Sequence, residues 1–107
     1  MIREKLDKII NEIKDELKGK YPDFNGIYLF GSQARGDASI DSDYDIAITS
    51  HYNLKWQIKD KMISSIYEYI LKYDIIIEPH FLTEEDLINP KTPLNYQISK
   101  EGIYYGF

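Results

Sequence analysis

The chain has 107 residues, a formal net charge of −5 and a hydrophobic fraction of 43%. A chain of this length suits one domain over residues 1–107 with a modest core, and it leaves no room for a second substrate-binding domain. The acidic balance argues against a protein that grips nucleic acid through many phosphates, whereas a small anionic substrate held through a metal ion is compatible with it.

The N-terminal segment predicts an amphipathic helix that ends near Lys18, where Gly19 and Pro22 interrupt the pattern. Its aliphatic residues recur at helical spacing, with Lys, Glu and Asp on the other face. They are Ile2, Leu6, Ile9, Ile10, Ile13 and Leu17. The segment lacks the apolar core of a signal peptide, no stretch of the chain approaches a membrane span, and cysteine is absent. We therefore predict a cytoplasmic protein without a membrane partner.

Two short strands are predicted on either side of a polar loop. The first is the apolar run 27–30, which reads as a buried strand and ends at Gly31. Residues 31–42 are small and polar and can hold a short helical turn. The second strand spans residues 44–49, where isoleucine alternates with other residues.

The second half of the chain predicts a helix over 53–72, a third strand over 75–82 and a short helix capped by Thr83. A further helix over 94–100 and an edge strand over 103–105 complete the chain. This order favours an α/β (α+β) fold, in which helices pack on a small mixed β-sheet.

The loop and the second strand carry the residues that indicate chemistry. Gly31 and Ser32 are followed by ten residues, 33–42, and then by Asp43 and Asp45 on either side of a tyrosine. The two acids are two apart on a predicted strand, so both side chains point to one face. Adjacent carboxylates repel one another, and a divalent cation such as Mg²⁺ removes that repulsion.

The start of the loop is suited to holding phosphate. Gly31 lets the backbone approach a phosphate closely, and the hydroxyl of Ser32 with nearby N–H groups can bond phosphate oxygens. Arg35 can balance phosphate charge, and an ordinary surface charge is the alternative for this residue. Together these residues predict a triphosphate cradle facing a metal site, which is what phosphoryl transfer needs.

The string GSQARGDASIDSDYDIAI resembles the defining motif of the polymerase-β-like nucleotidyltransferases, which is Gly-Ser, ten residues and Asp-x-Asp. It is similar to the small members called minimal nucleotidyltransferases (MNT), many of which are antitoxins of HEPN–MNT toxin–antitoxin pairs. The resemblance implies a polymerase-β-like fold, a nucleoside triphosphate that is usually ATP, two Mg²⁺ ions and transfer of a nucleoside monophosphate. For antitoxins of this type it implies AMP transfer to a tyrosine of the partner HEPN toxin.

The family also uses a third acid on the next sheet strand, and this sequence offers two candidates. Asp74 is the second residue of the run YDIII, which resembles the family's apolar-Asp-apolar strand, and Glu78 follows that run. Asp74, Glu78 and His80 share one strand face by parity. Local similarity favours Asp74 as the catalytic and metal-binding acid, with Glu78 as the alternative. His80 ranks behind both acids because Mg²⁺ prefers oxygen.

Other motifs do not fit these residues. An EF-hand over the alternating acids would need Gly where Ile46 stands and Glu where Tyr52 stands. A Walker A loop needs a Gly-Lys-Ser/Thr ending, but Asp37 follows Gly36. The two histidines of the chain are interpreted as structural or surface residues.

Two functions are consistent with this pattern. The first is a Mg²⁺-dependent enzyme that transfers AMP from ATP to a hydroxyl of a partner protein, since the short chain has no acceptor domain. The second is a nucleotidyltransferase fold that neutralises a partner toxin by binding alone, which the ambiguous third acid keeps open. Net acidity disfavours transfer to RNA, and a small-molecule acceptor normally accompanies a longer chain.

Overall fold

A computed structural model describes residues 2–39 and 42–106, without the side chains of Ile2 and Arg3. The elements in chain order are α1 (Ile2–Lys20), β1 (Phe24–Phe30), α2 (Ser32–Arg35), β2 (Tyr44–Ser50), α3 (Trp56–Tyr73), β3 (Ile77–Thr83), α4 (Glu84–Ile88), α5 (Pro93–Glu101) and β4 (Ile103–Tyr105). The strands form one four-stranded sheet in the order β3-β2-β1-β4. The predicted fold, a small mixed sheet with helices packed on it, is confirmed.

The sheet is mixed because its connections differ in length. β1 pairs antiparallel with both β2 and β4, while β2 pairs parallel with β3. A parallel pair needs a crossover long enough to return the chain to the same end of the sheet. Helix α3 supplies that crossover, so the chain enters β2 and β3 at the same edge.

One face of the sheet carries the main core. Ile27, Leu29, Ile46 and Ile48 project from the central strands β1 and β2 and are buried. They pack against the apolar sides of α1 and α3. The helix residues are Leu6, Ile9, Ile10, Ile13, Leu17, Met62 and Ile66. The predicted amphipathic face of α1 is thus the face that it buries, and its last turn runs to Lys20, two residues beyond the expected end. The helix stops there because Pro22 disfavours a helical conformation at the residue before it.

The opposite face of the sheet is only partly covered. A smaller cluster of Phe30, Ala47 and Ile98 joins this face to α5, and Leu82 and Leu87 pack at its margin. Within the described residues, α4 and α5 contact the sheet near that cluster and leave the edge where β2 and β3 begin more open. That edge carries the side chains Asp45 and Glu78, which are half-buried and exposed respectively.

The start of the third strand differs from the prediction. β3 begins at Ile77 instead of residue 75, because Asp74 ends α3 in the left-handed conformation, with φ 52° and ψ 51°. Aspartate tolerates this conformation better than most residues, and its N–H bonds the carbonyl of Ile70. The expectation that Asp74 lies on the strand face with Glu78 is therefore wrong.

The short helices agree with the sequence signals. Thr83 caps α4 with a capping box, in which its side chain accepts from the N–H of Asp86 and Asp86 accepts from the N–H of Thr83. Pro93 occupies the first turn of α5, where its missing N–H has no cost. Among the helices of the described chain, none is long and apolar enough to cross a bilayer.

Candidate functional site

Three of the predicted site residues, Gly31, Asp45 and Glu78, meet where three strands begin or end. Gly31 follows the last residue of β1, and Asp45 and Glu78 are the second residues of β2 and β3. Phe30 is paired with Asp45, and Asp45 is paired with Glu78. Directly paired residues place their side chains on the same sheet face, so the register brings the two carboxylates side by side next to the glycine.

Gly31 is required by its backbone and by its neighbour. Its φ of 76° and ψ of −157° lie in a region that is almost restricted to glycine. A Cβ atom at this position would also collide with Oδ2 of Asp45. The glycine therefore lets the start of the loop approach the carboxylate of Asp45, whereas the approach of Gly31 to a phosphate stays a prediction.

Asp45, Glu78 and His80 form a cluster in which a carboxylate oxygen from each acid and an imidazole nitrogen all lie within 4.8 Å of one another. Asp45 and His80 are half-buried, and Glu78 is exposed. The ring of His80 packs at 5.4 Å from the ring of Phe30, with 59° between the ring planes. Two oxygens and one nitrogen at this separation are a donor set that fits a divalent cation.

The electrostatics of Asp45 agree with that fit. Burial raises the pKa of Asp45 to about 6, and its hydrogen bond to Glu78 and the charge of Glu78 act in the same direction. His80 lowers this pKa and Asp43 raises it, both by smaller amounts. In its protonated form Asp45 donates to Glu78, so a proton holds the two carboxyl groups together. A cation can replace that proton and relieve the same repulsion.

The other predicted acids lie outside this cluster. Asp43 is half-buried and precedes β2, and its charge reaches Asp45, but it does not join the group of mutually close ligand atoms found among the described residues. Asp74 is exposed at the end of α3. Of the two candidates for the third acid, the structure brings Glu78 and not Asp74 to Asp45.

A buried glutamine side chain connects the loop that follows β1 to the residues just before β2 by a hydrogen bond. Gln33 is only 9% exposed, and its Nε2 donates to the carbonyl of Ser42 at 3.2 Å. Ser32 is half-buried at the start of α2, and its carbonyl accepts from the N–H groups of Gly36 and Asp37. Gln33 was not predicted from the sequence, where its one signal is a long amide side chain between two small residues, Ser32 and Ala34.

Arg35 is already held by two carboxylates. Its Nε donates to Asp37 and its Nη1 donates to Glu101, each at 3.2 Å. Glu101 also accepts from Gln97 at 2.8 Å. Gln97 lowers the pKa of Glu101 most, and Arg35 and the backbone of Gly31 lower it further. Glu101 thus connects the end of α5 to the phosphate loop. This role of Glu101 was not predicted from the sequence because Glu101 lies 66 residues from Arg35.

A glycine turn beside a carboxylate pair on neighbouring strands is an arrangement suited to positioning and charge neutralisation in phosphoryl transfer. The family described as "Polymerase beta, Nucleotidyltransferase" matches residues 11–104. The chain therefore belongs to this nucleotidyltransferase family, as its motif indicates.

Relatives with similar sequences are known from Methanocaldococcus jannaschii. "Putative protein adenylyltransferase MJ0141" is 38% identical over 73 residues, which are 67% of this chain and 74% of the relative. "Putative protein adenylyltransferase MJ0604" is 36% identical over 86 residues, which are 79% of this chain and 80% of the relative.

Solved structures share the fold at lower identity. A nucleotidyltransferase structure from Sulfolobus solfataricus aligns with a TM-score of 0.67 at 22% identity, covering 99% of this chain and 88% of that chain. A chain of a toxin–antitoxin structure with AMP-PNP aligns with a TM-score of 0.66 at 22% identity, and the alignment covers 94% of this chain and 73% of that chain. A chain of the complex of tri-AMPylated Shewanella oneidensis HEPN toxin with MNT antitoxin aligns with a TM-score of 0.62 at 21% identity. The alignment covers 100% of this chain and 74% of that chain.

Proposed function

We propose that this nucleotidyltransferase transfers AMP from ATP to a tyrosine hydroxyl of a partner HEPN toxin and thereby acts as an antitoxin. The observation that carries the proposal is that the carboxylate oxygens of Asp45 and Glu78 lie within 4.8 Å of each other beside Gly31. AMP as the transferred group and a HEPN toxin as the acceptor are supported by the names of the relatives and of the toxin–antitoxin structures.

The phosphate loop of residues 31–36 would receive the triphosphate. Gly31, which has no side chain, would let a phosphate approach the backbone, and the hydroxyl of Ser32, the first residue of α2, would bond a phosphate oxygen. Gln33 holds this loop against Ser42, so the loop and the acids that follow keep a constant separation. Arg35 would contribute its charge once the triphosphate competes with the carboxylates that now hold it.

Asp45 and Glu78 would hold the metal, and Asp43 would add negative charge next to them. The resemblance implies two Mg²⁺ ions, and bound divalent cations would neutralise the phosphate oxygens and polarise the α-phosphate. The residues fit this cofactor because they present carboxylate oxygens with one side open to solvent, as Glu78 is exposed.

The reaction that follows is a displacement at the α-phosphorus. The tyrosine oxygen forms a bond to this phosphorus, the bond to the bridging oxygen breaks, and pyrophosphate leaves with the electron pair. The proton of the hydroxyl passes to a carboxylate of the site, for which the exposed Glu78 is the accessible group. The acceptor hydroxyl would come from the partner toxin, which the complex of an AMPylated HEPN toxin with an MNT antitoxin supports. A single domain over residues 1–107 stays a prediction from the length of the chain. Cytoplasmic location stays a prediction from the cysteine-free sequence.

Labelled ATP tests this proposal directly. The protein is incubated with Mg²⁺, the product of the neighbouring gene, and ATP labelled either at the α- or at the γ-phosphate. We expect α-label on the partner, no γ-label, and loss of transfer in Asp45→Asn. The same change at Asp60 on α3, remote from the cluster, is the matched control and should keep full transfer.

Binding alone is the competing function. The observation in its favour is that the cluster contains two acids and a histidine instead of three acids. Toxin neutralisation by Asp45→Asn, with no α-label on the partner in the wild type, would contradict the enzymatic proposal and support binding. Neutralisation that requires both Asp45 and ATP would exclude binding alone.

A further inference from the structure

His80 occupies a place that the phosphate chemistry does not explain. It is paired with Ala47 on β2 and lies two residues after Glu78, on the same face of β3. Phe30 packs against its ring at 5.4 Å, and the side chain is half-buried. The imidazole is therefore oriented beside the carboxylates by packing and by strand register.

The distances allow one ion to contact all three side chains. One ligand atom each from Asp45, Glu78 and His80 lies within 4.8 Å of the other two. Ligands of a six-coordinate ion with bonds of about 2.1 Å lie about 3 Å apart. Small rotations of the Glu78 and Asp45 side chains would shorten the distances between the ligand atoms to this spacing, because Glu78 is exposed and Asp45 is only half-buried.

An imidazole ligand changes which metal the centre favours. Mg²⁺ takes oxygen ligands and keeps its waters, whereas first-row transition ions accept nitrogen and oxygen together. We propose that His80 is a ligand of the divalent cation at this centre, and that the mixed nitrogen–oxygen donor set binds Mn²⁺ more tightly than Mg²⁺. The inference rests on the proposed function for the role of the site, but its test needs neither nucleotide nor partner.

The chain supplies its own control because it has two histidines. His51 follows the far end of β2, and its Nδ1 lies 3.2 Å from Oε1 of Glu84. In untagged His51→Gln protein, His80 is the remaining histidine. Any histidine nitrogen bound to the ion in that variant is therefore assigned to His80 without changing the site itself.

Pulsed electron paramagnetic resonance of bound Mn²⁺ is the direct measurement. We expect ¹⁴N modulation in the wild type and in His51→Gln, replaced by ¹⁵N modulation when the histidine is labelled with ¹⁵N. His80→Gln should lose the modulation and bind Mn²⁺ at least about tenfold more weakly, the loss already typical of residues that only support a ligand. Affinity for Mg²⁺, measured by competition against the Mn²⁺ signal, should change much less.

Several results would overturn the inference. They are absence of Mn²⁺ binding, bound Mn²⁺ without nitrogen modulation in the wild type, modulation that persists in His80→Gln, or equal loss of Mg²⁺ and Mn²⁺ affinity. If His80→Gln does not fold, the labelled His51→Gln protein still decides the ligand, since its site is intact. AMP transfer without nitrogen modulation would leave the proposed function standing and remove this inference, and modulation without transfer would do the reverse.

Discussion

Replacing Gly31 by alanine is expected to destabilise the fold and displace the carboxylate of Asp45. The backbone of Gly31 lies in a region where a side chain costs about 1–3 kcal/mol. The new Cβ also collides with Asp45, and forcing an extra methyl into a filled space typically costs a further ~1–3 kcal/mol. Together these effects predict a loss of roughly 2–6 kcal/mol, which is large against the ~5–15 kcal/mol of a typical domain.

Gly36 provides the matched comparison for this substitution. Its φ of 81° is also left-handed, but a Cβ there would have no neighbour within 4 Å. Gly36→Ala should therefore lower the free energy of unfolding only by the cost of placing alanine in a left-handed conformation, about 1–2 kcal/mol. The free energies of unfolding are measured by urea denaturation. Their dependence on urea concentration should have the same slope in each variant as in the wild type, which checks that unfolding stays two-state.

A double-mutant cycle isolates the collision. In an Asp45→Ala background the carboxylate is gone, so Gly31→Ala should cost about 1–3 kcal/mol less than it does in the wild type. Equal losses for Gly31→Ala and Gly36→Ala, or no coupling to Asp45, would refute the close approach on which the phosphate loop depends. The AMP-transfer assay should show loss of activity in any Gly31→Ala protein that remains folded.

Three further outcomes follow from the site. The pKa of Asp45 is raised from 3.8 to about 6 on folding, so the folded protein holds more protons than the unfolded chain between these pH values. The free energy of unfolding should therefore fall as pH rises from about 4 to 6. Urea titrations without metal should show a smaller fall for Asp45→Asn. Mg²⁺ or Mn²⁺ should raise the thermal unfolding temperature of the wild type, and Glu78→Gln should remove that rise while Asp74→Asn keeps it. Glu101→Gln should release Arg35 and tighten the binding of ATP, measured by isothermal titration calorimetry.

Each of these outcomes has a control. The fall of the free energy of unfolding with rising pH should become smaller at saturating metal, because the ion replaces the shared proton. A fall that metal does not change would contradict binding of the metal and of the proton at the same site. A metal response lost in Asp74→Asn but kept in Glu78→Gln would reverse the choice of third acid. Glu68→Gln makes the same charge change on α3, and an equal gain in ATP affinity there would show that Glu101 acts only through net charge.

Local patterns in the sequence were enough to predict the order of the elements and the loop with a short helical turn between β1 and β2. Apolar periodicity marks α1 and α3, and isoleucine alternation marks β2, because these repeats reflect the geometry of each element alone. The spacing from Gly31 to Asp45 likewise lies within one strand–loop–strand unit. The sequence therefore predicted the glycine and the acid that the structure brings into contact.

The choice between Asp74 and Glu78 depended on where a helix ends. Counting Asp74 on the strand face by parity assumed that the chain is already extended at this residue, but Asp74 adopts the left-handed conformation and terminates α3. Nothing local distinguishes an aspartate that begins a strand from one that ends a helix. The two outcomes differ in how α3 packs across the sheet, which is a property of the whole fold.

The sequence by itself thus determined the class of the protein and one side of its site, whereas the tertiary structure decided which partners complete it. Glu78 and His80 reach Asp45 only through the parallel register of β2 and β3, and Glu101 reaches Arg35 across most of the chain. Strand register and helix docking are set by burial of the shared core, so residues distant in sequence become neighbours only when that core forms.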